Sequence, residues 1–175
     1  MSRLYDEIVA SRGSLERLVA RIPGFKGYQD KQARRTADRM LRDHIAKVIS
    51  QKVNKLISIE KVILSNAGIA YMGKTRDVKG KLQLYNDKIA TAAPKYDGMW
   101  AQMKIESEQL EEIYAFDEAQ MRYVDRIDAA LDTLQSAALN NDGLDAAIFE
   151  LDNVITEAIE AFELRDDVLT RFGTL

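Results

Sequence analysis

Apolar residues recur along this chain three and four apart, the repeat that lines one face of an α-helix, and almost nowhere alternate as a half-buried strand requires. Leu4, Ile8, Leu15, Leu18, Val19 and Ile22 mark a first helix over 2–21, with Gly13 as its weak point and Pro23-Gly24 as its stop. From Asp30, a residue type that caps helix starts, no Gly or Pro intervenes until Gly68. That predicts a second helix over 30–66, about 37 residues and roughly 55 Å long. Leu41, Ile45, Val48, Ile49, Val53, Leu56, Ile59 and Ile63 give it a stripe wide enough for more than one neighbour. A turn is expected over 68–76, then a third helix over 77–93 with Val78, Leu82, Tyr85, Ile89 and Ala92 at coiled-coil spacing, ended by Pro94. Ser107 is the expected cap of a fourth helix, 107–139, and Asn140-Asn141-Asp142-Gly143 the turn into a fifth, 144–172. The seam of that last helix, from Leu144 through Ile148, Leu151, Ile155, Ala158, Phe162, Leu169 and Phe172, is interrupted only by Arg165.

The fold class that follows is all-α. One domain over 1–175 forms an elongated up-and-down antiparallel bundle or coiled-coil hairpin of about five helices, roughly 50 Å long. Two prolines and nine glycines in 175 residues leave too few breakers for a sheet protein, and 46% hydrophobic residues supply a core. The absence of cysteine excludes disulfides and thiolate metal sites and fits a reducing compartment. Acids at Asp6 and Glu7 interrupt any leader-like apolar stretch, and no run of about 18 apolar residues occurs, so a cytoplasmic protein without a transmembrane segment is expected.

Charge changes the picture. Residues 1–87 hold 18 Lys+Arg against 9 Asp+Glu, whereas 88–175 hold 7 against 19, so the halves carry +9 and −12 within a total of −3. Either a basic hairpin packs beside an acidic one and the fields cancel, or the basic half faces an anionic surface such as membrane lipid or nucleic acid. Within the helical stripes, Arg34, Asp38 and Arg42 fall on the side of Ile45 and Leu56, and Asp117 and Gln120 interrupt the fourth helix's series of Leu110, Ile113, Val124 and Ile127. These five are candidate buried polar residues. Arg42 and Asp117 lie at similar depths below one end, close enough for an ion pair that sets helix register.

Catalytic chemistry finds little support. His44 is the single histidine, which excludes paired Glu-x-x-His di-iron units and HExxH zinc sites, and no Ser-His-Asp arrangement is argued for by its neighbours. No GxxxxGK[ST] or GxGxxG occurs. The many acids of 106–132 spread over several helix faces, which leaves a carboxylate-metal enzyme a distant third reading. No catalytic residue, metal ligand or cofactor is therefore expected. The two proline-led loops remain: Phe25, Lys26 and Tyr28 in one, Lys95, Tyr96, Met99 and Trp100 in the other. Alternating helix direction brings both to one end, where these residues either plug the bundle or form a partner-binding cap.

The segment Ile22-Pro23-Gly24-Phe25-Lys26-Gly27-Tyr28 with Lys31, Arg34-Arg35, Asp38 and Leu41-Arg42, and the stretch Leu110-Glu111-Glu112-Ile113-Tyr114-Ala115-Phe116-Asp117, resemble an uncharacterised family of bacterial all-helical proteins. The resemblance covers about a fifth of the chain and implies helical architecture and a bacterial origin, with no activity or site residues attached. The expected function is a non-enzymatic helical interaction or scaffold protein, binding a protein partner or itself as a homo-oligomer. Peripheral binding to anionic lipid or nucleic acid through the basic half is the alternative.

Overall fold

Four long helices carry the structure. The computed structural model describes residues 2–92 and 105–173. They form α1 (Arg3–Val9), α2 (Ser14–Arg21), α3 (Arg34–Ala67), α4 (Met72–Thr91), α5 (Ser107–Asn140) and α6 (Leu144–Gly173), with a 3-10 turn at Gly68–Tyr71. The fold is all-α, and the described residues contain no strand. No described helix is long and apolar enough to cross a membrane.

Side-chain pairs fix the directions. Lys79 reaches Glu60 at 2.7 Å and Asn86 donates to Ser50 at 3.1 Å, so α3 and α4 form an antiparallel hairpin. Arg126 pairs with Glu157 and Arg171 with Glu112, each at 2.7 Å, making α5 and α6 a second hairpin. The two hairpins lie side by side in the same sense. Lys55 meets Asp128 and Asn66 Nδ2 donates to the Ala138 carbonyl, while Lys74 meets Asp145 and Lys81 meets Asp152. Thus α3 packs on α5 and α4 on α6, and the consecutive helices α4 and α5 face each other across a diagonal.

The division of charge along the sequence follows from this arrangement. Arg12, Arg17, Arg21, Lys52, Lys55, Lys74 and Lys81 from the basic half all pair with acids of the second half, from Glu111 to Asp152. Most of these pairs are exposed and each adds only about 0–1 kcal/mol, but together they select which hairpin faces which.

Several boundaries differ from the sequence expectation for local reasons. Gly13, at φ +66°, breaks the first helix into α1 and α2. Asp30 caps no helix: its carboxylate accepts the Gln32 N–H at 3.0 Å in a turn, and α3 starts at Arg34. The expected turn over 68–76 is only a 3-10 turn, after which α4 is already helical at Met72. Glu106, not Ser107, caps α5, in a reciprocal capping box with Gln109. Of the two proline-led loops, the one following Pro94 lies outside the described residues.

The N-terminal arm closes the bundle's side. Because α1, α2 and the segment 22–28 lie over the first third of α5, every residue from Ile113 to Met121 is buried. Gly27 holds the turn of that segment at φ +86°, and a Cβ there would stand 2.5 Å from the Tyr114 hydroxyl oxygen. The strained backbone and the blocked approach act together. Gly27→Ala is expected to cost about 1–3 kcal/mol, read as a lower urea midpoint with an unchanged slope.

Candidate functional site

The opening third of α3 turns polar side chains inward, and three other elements answer them. Asp38 and Arg42, one helical turn apart, are paired at 2.8 Å. Arg165, from the middle of the α6 seam, donates through Nη2 to Asp38 at 2.8 Å and through Nε to Asp117 of α5 at 2.5 Å. The second Asp117 oxygen accepts from the Tyr28 hydroxyl at 2.6 Å. Both arginines and both aspartates are at most 2% exposed. The cluster is therefore electrically neutral, dehydrated, and shared by α3, α5, α6 and the N-terminal segment.

A shell of further hydrogen bonds surrounds it. The Tyr28 N–H donates to the Tyr114 hydroxyl at 2.7 Å, with the two rings stacked 5.4 Å apart, and Arg34 Nε donates to the Tyr28 carbonyl at 2.7 Å. Arg42 Nη1 reaches the Ile89 carbonyl in the last turn of α4 at 3.4 Å, and the Tyr85 hydroxyl donates to Gln120 at 2.6 Å across the α4/α5 diagonal. Burial pushes the Asp117 carboxyl above the usual aspartate range, partly offset by the charge and hydrogen bond of Arg165 and by Tyr28. Burial acts to pull Arg165 down, yet the Asp117 and Asp38 carboxylates outweigh it and hold the guanidinium firmly charged. Burial and the nearby Asp117 carboxylate push the Tyr28 phenol well up, so it serves as a donor and not as a base.

This geometry brings together Arg34, Asp38, Arg42, Asp117 and Gln120, but not in the expected pairs. Arg42 meets Asp38, and Asp117 meets Arg165. Sequence reasoning missed Arg165, whose signal was the one charge in an otherwise apolar seam. It also missed Tyr114 and Tyr85, which pattern alone assigns to the core. Of the partner-binding candidates, Phe25 and Tyr28 are inside the fold at 2% and 0% exposure, so their rings are closed to a partner, and Lys26 is exposed. Phe25 packs edge-on against Tyr28 because that pair seals the cluster from above. Lys95, Tyr96, Met99 and Trp100 lie outside the described residues.

The outer surface offers two concavities of useful size. A polar recess of about 460 Å³ between the α1/α2 junction and the start of α5 is lined by Ser11, Ser14, Arg34, Ser107, Glu111 and others, and Arg17 spends its donors there on Ser11 and the Arg12 carbonyl. An apolar groove of about 610 Å³ runs between α4 and α6, floored by Val78 and Ile148 and edged by Lys74, Asp77, Asp145 and Phe149. Phe149 is 67% exposed beside it. Among the described residues no three or more His, Cys, Asp or Glu side chains converge to hold a metal ion. No family model, curated protein or solved structure matches this chain.

Two measurements test the electrostatics. Asp117→Ala leaves Arg165 with half its carboxylate shell in a dry site and should cost about 3–5 kcal/mol in urea denaturation. Replacing the whole cluster together, Tyr28→Phe, Asp38→Leu, Arg42→Met, Asp117→Leu and Arg165→Met, should recover most of that loss. At the surface, hydrogen bonds from Lys55 and Lys52 hold the Asp128 carboxyl below its usual range. Its contribution is complete above about pH 4, the ordinary aspartate value, and disappears as pH falls through the lower folded value. Asp128 is 38% exposed, so Asp128→Asn should cost about 0.2–1 kcal/mol at pH 7 and nothing measurable at pH 2, if the fold persists there.

Proposed function

We propose that this chain is a non-enzymatic helical interaction module that docks a partner protein, or a second copy of itself, through the groove between α4 and α6. The observation that carries the reading is Phe149, a large aromatic side chain 67% exposed beside the apolar groove between α4 and α6. Leaving such a ring in water forgoes burial worth about 1.5–3 kcal/mol. Leu64, Ile69 and Leu139, at 48%, 80% and 61% exposure, belong to the same end, where the 3-10 turn and the α5/α6 turn come together.

The internal cluster supports a scaffold and not a reaction centre. Its carboxylates and guanidiniums neutralise one another, Tyr28 acts as a donor to Asp117, and its four charged side chains are buried. The anionic-surface alternative loses seven of the basic half's 18 cations to cross-bundle pairs. Lys26, Lys31, Arg39 and Lys47 stay exposed without an ion-pair partner among the described residues, but Asp30 and Asp43 stand between them.

The docking reading predicts where contact occurs. A photo-crosslinking phenylalanine analogue at position 149, introduced in cells, should give covalent protein adducts, while the same group at exposed Lys61 on α3 should give few. Equal yields at both positions, or none at 149, would overturn it.

A further inference from the structure

The arm from Arg3 to Arg21 is held to the bundle differently from the chain that follows it. Within the arm only Ile8 and Leu18 are fully buried apolar side chains, and Val19 is 48% exposed. Its polar ties run through exposed or half-buried side chains of its own: Arg12 to Glu111 at 3.5 Å, Arg17 to Glu118 at 3.2 Å, Arg21 to Asp125 at 2.6 Å, and Tyr5 to Glu112 and Arg171. Arg17 also braces the arm internally, donating to the Arg12 carbonyl at 2.5 Å and to Ser11 Oγ at 2.6 Å across the junction of α1 and α2. The two short helices are thereby one body. Beyond them the anchoring changes. The backbone becomes extended at Ile22, the Phe25 N–H closes a turn on the Ile22 carbonyl at 3.1 Å, and Tyr28 reaches the charged cluster.

The arm covers the outward face of α5. At about 100° per residue, the acids Glu111, Glu118 and Asp125 that meet the arm's arginines form one line, and Glu112 and Phe116, which Tyr5 meets, form another. Ala115 and Ala119, each 1% exposed, lie between those lines, turned away from Ile113, Val124 and Ile127 on the core side. Closure also has an opposing cost. It leaves the Glu118 side chain 7% exposed between Arg17 and Arg122, which stay 45% and 48% exposed, and it sets Glu16 and Glu111 around one recess with like charge.

We propose that residues 3–21 form a strap that swings off α5 as a unit about Ile22, with Tyr28 and the four long helices staying in place, and that its ion pairs set how often it opens. A segment with few buried apolar contacts, held by surface charges that salt screens, has low local stability. Open, the strap uncovers an alanine-floored face edged by Glu111, Glu118 and Asp125. Closed, its own basic second helix keeps that face shut. The motion does not involve the groove between α4 and α6.

The chain has no cysteine, so single thiols report opening at chosen places. Ala115→Cys should react with a small thiol reagent roughly tenfold or more faster than Val124→Cys on the core side of the same helix, with rates scaled to exposed Lys61→Cys. Raising salt from about 50 to about 500 mM, or adding Arg17→Gln, should speed labelling of Ala115→Cys about threefold or more. Adding Ile155→Val in the core should speed labelling of Val124→Cys several-fold and leave Ala115→Cys unchanged, because it weakens the bundle and not the strap's contacts. In the unsubstituted chain, the amides of α1 and α2 should exchange hydrogen together and ahead of α3–α6, which checks that the introduced thiol does not prop the strap open. Equal labelling at positions 115 and 124, a core substitution that speeds both alike, no response to salt or to Arg17→Gln, or separate exchange rates for α1 and α2 overturns the proposal.

Discussion

Arg165 is the residue on which this fold turns. Its planar guanidinium lets one side chain from α6 hold a carboxylate of α3 and a carboxylate of α5 at once, across the bundle's interior. Such a bridge carries a large desolvation cost, and replacing it by apolar packing is often neutral, so net stability is a poor reason for it. Its physical effect is selection. Apolar seams spaced three and four apart tolerate sliding by a helical turn, because leucines and isoleucines match many registers. Slipping α6 by one turn moves the guanidinium about 5 Å from both acids and strands Arg165 and Asp117 as buried charges, while Asp38 keeps Arg42. The cluster therefore converts a permissive set of amphipathic helices into one alignment.

That constraint propagates outward. Tyr28 bonds Asp117, and through Tyr114 and Arg34 the same residue ties down its own segment, so the short helices α1 and α2 are led onto α5 in one orientation. Helices of seven and eight residues have little stability of their own. Their order derives from what they cover: the unusually buried first third of α5, together with ion pairs from Arg17 and Arg21 and the hydrogen bond from Tyr5 to Glu112. The surface pairs repeat the interior's choice of register at lower cost and lower strength.

Much of the architecture was legible in the sequence, because it rests on periodicity. The helical stripes, the stop at Pro23 and the turn before Leu144 follow from spacing and breakers alone. The inward placement of Arg34, Asp38, Arg42, Asp117 and Gln120 was also legible, since a polar residue on an apolar stripe has nowhere else to point. Which acid meets which base was not. Arg42 and Asp117 stand at similar depths on helices that run in parallel, yet the i, i+4 geometry inside α3 gives Asp38 to Arg42, leaving Asp117 to Arg165 of its own hairpin. Helix boundaries failed where two local interactions compete, as at Asp30, whose carboxylate serves a turn instead of a cap. Aromatic residues in the first loop suggested a docking tip, but Tyr28 spends its hydroxyl and amide on the buried cluster and Phe25 packs against its ring. Pattern cannot distinguish a ring that seals a core from one that waits for a partner.

The same logic locates the unspent part of the molecule. Inside the bundle, local conflicts have visible compensation: a buried arginine has its carboxylates, and Gly27 at positive φ has the Tyr114 hydroxyl in the space a side chain would take. On the outer face of α4 and beside it on α6, the conflicts have none among the described residues. Two glycines weaken a helix without easing any contact, a leucine and a phenylalanine stay wet, and charges of both signs lack partners. A foldable sequence keeps its local choices consistent with its global structure, and uncompensated departures gather where structure answers to something beyond itself. Here they gather on one strip beside one groove, while the charged centre that first attracts attention has its ion pairs completed by the fold that contains it.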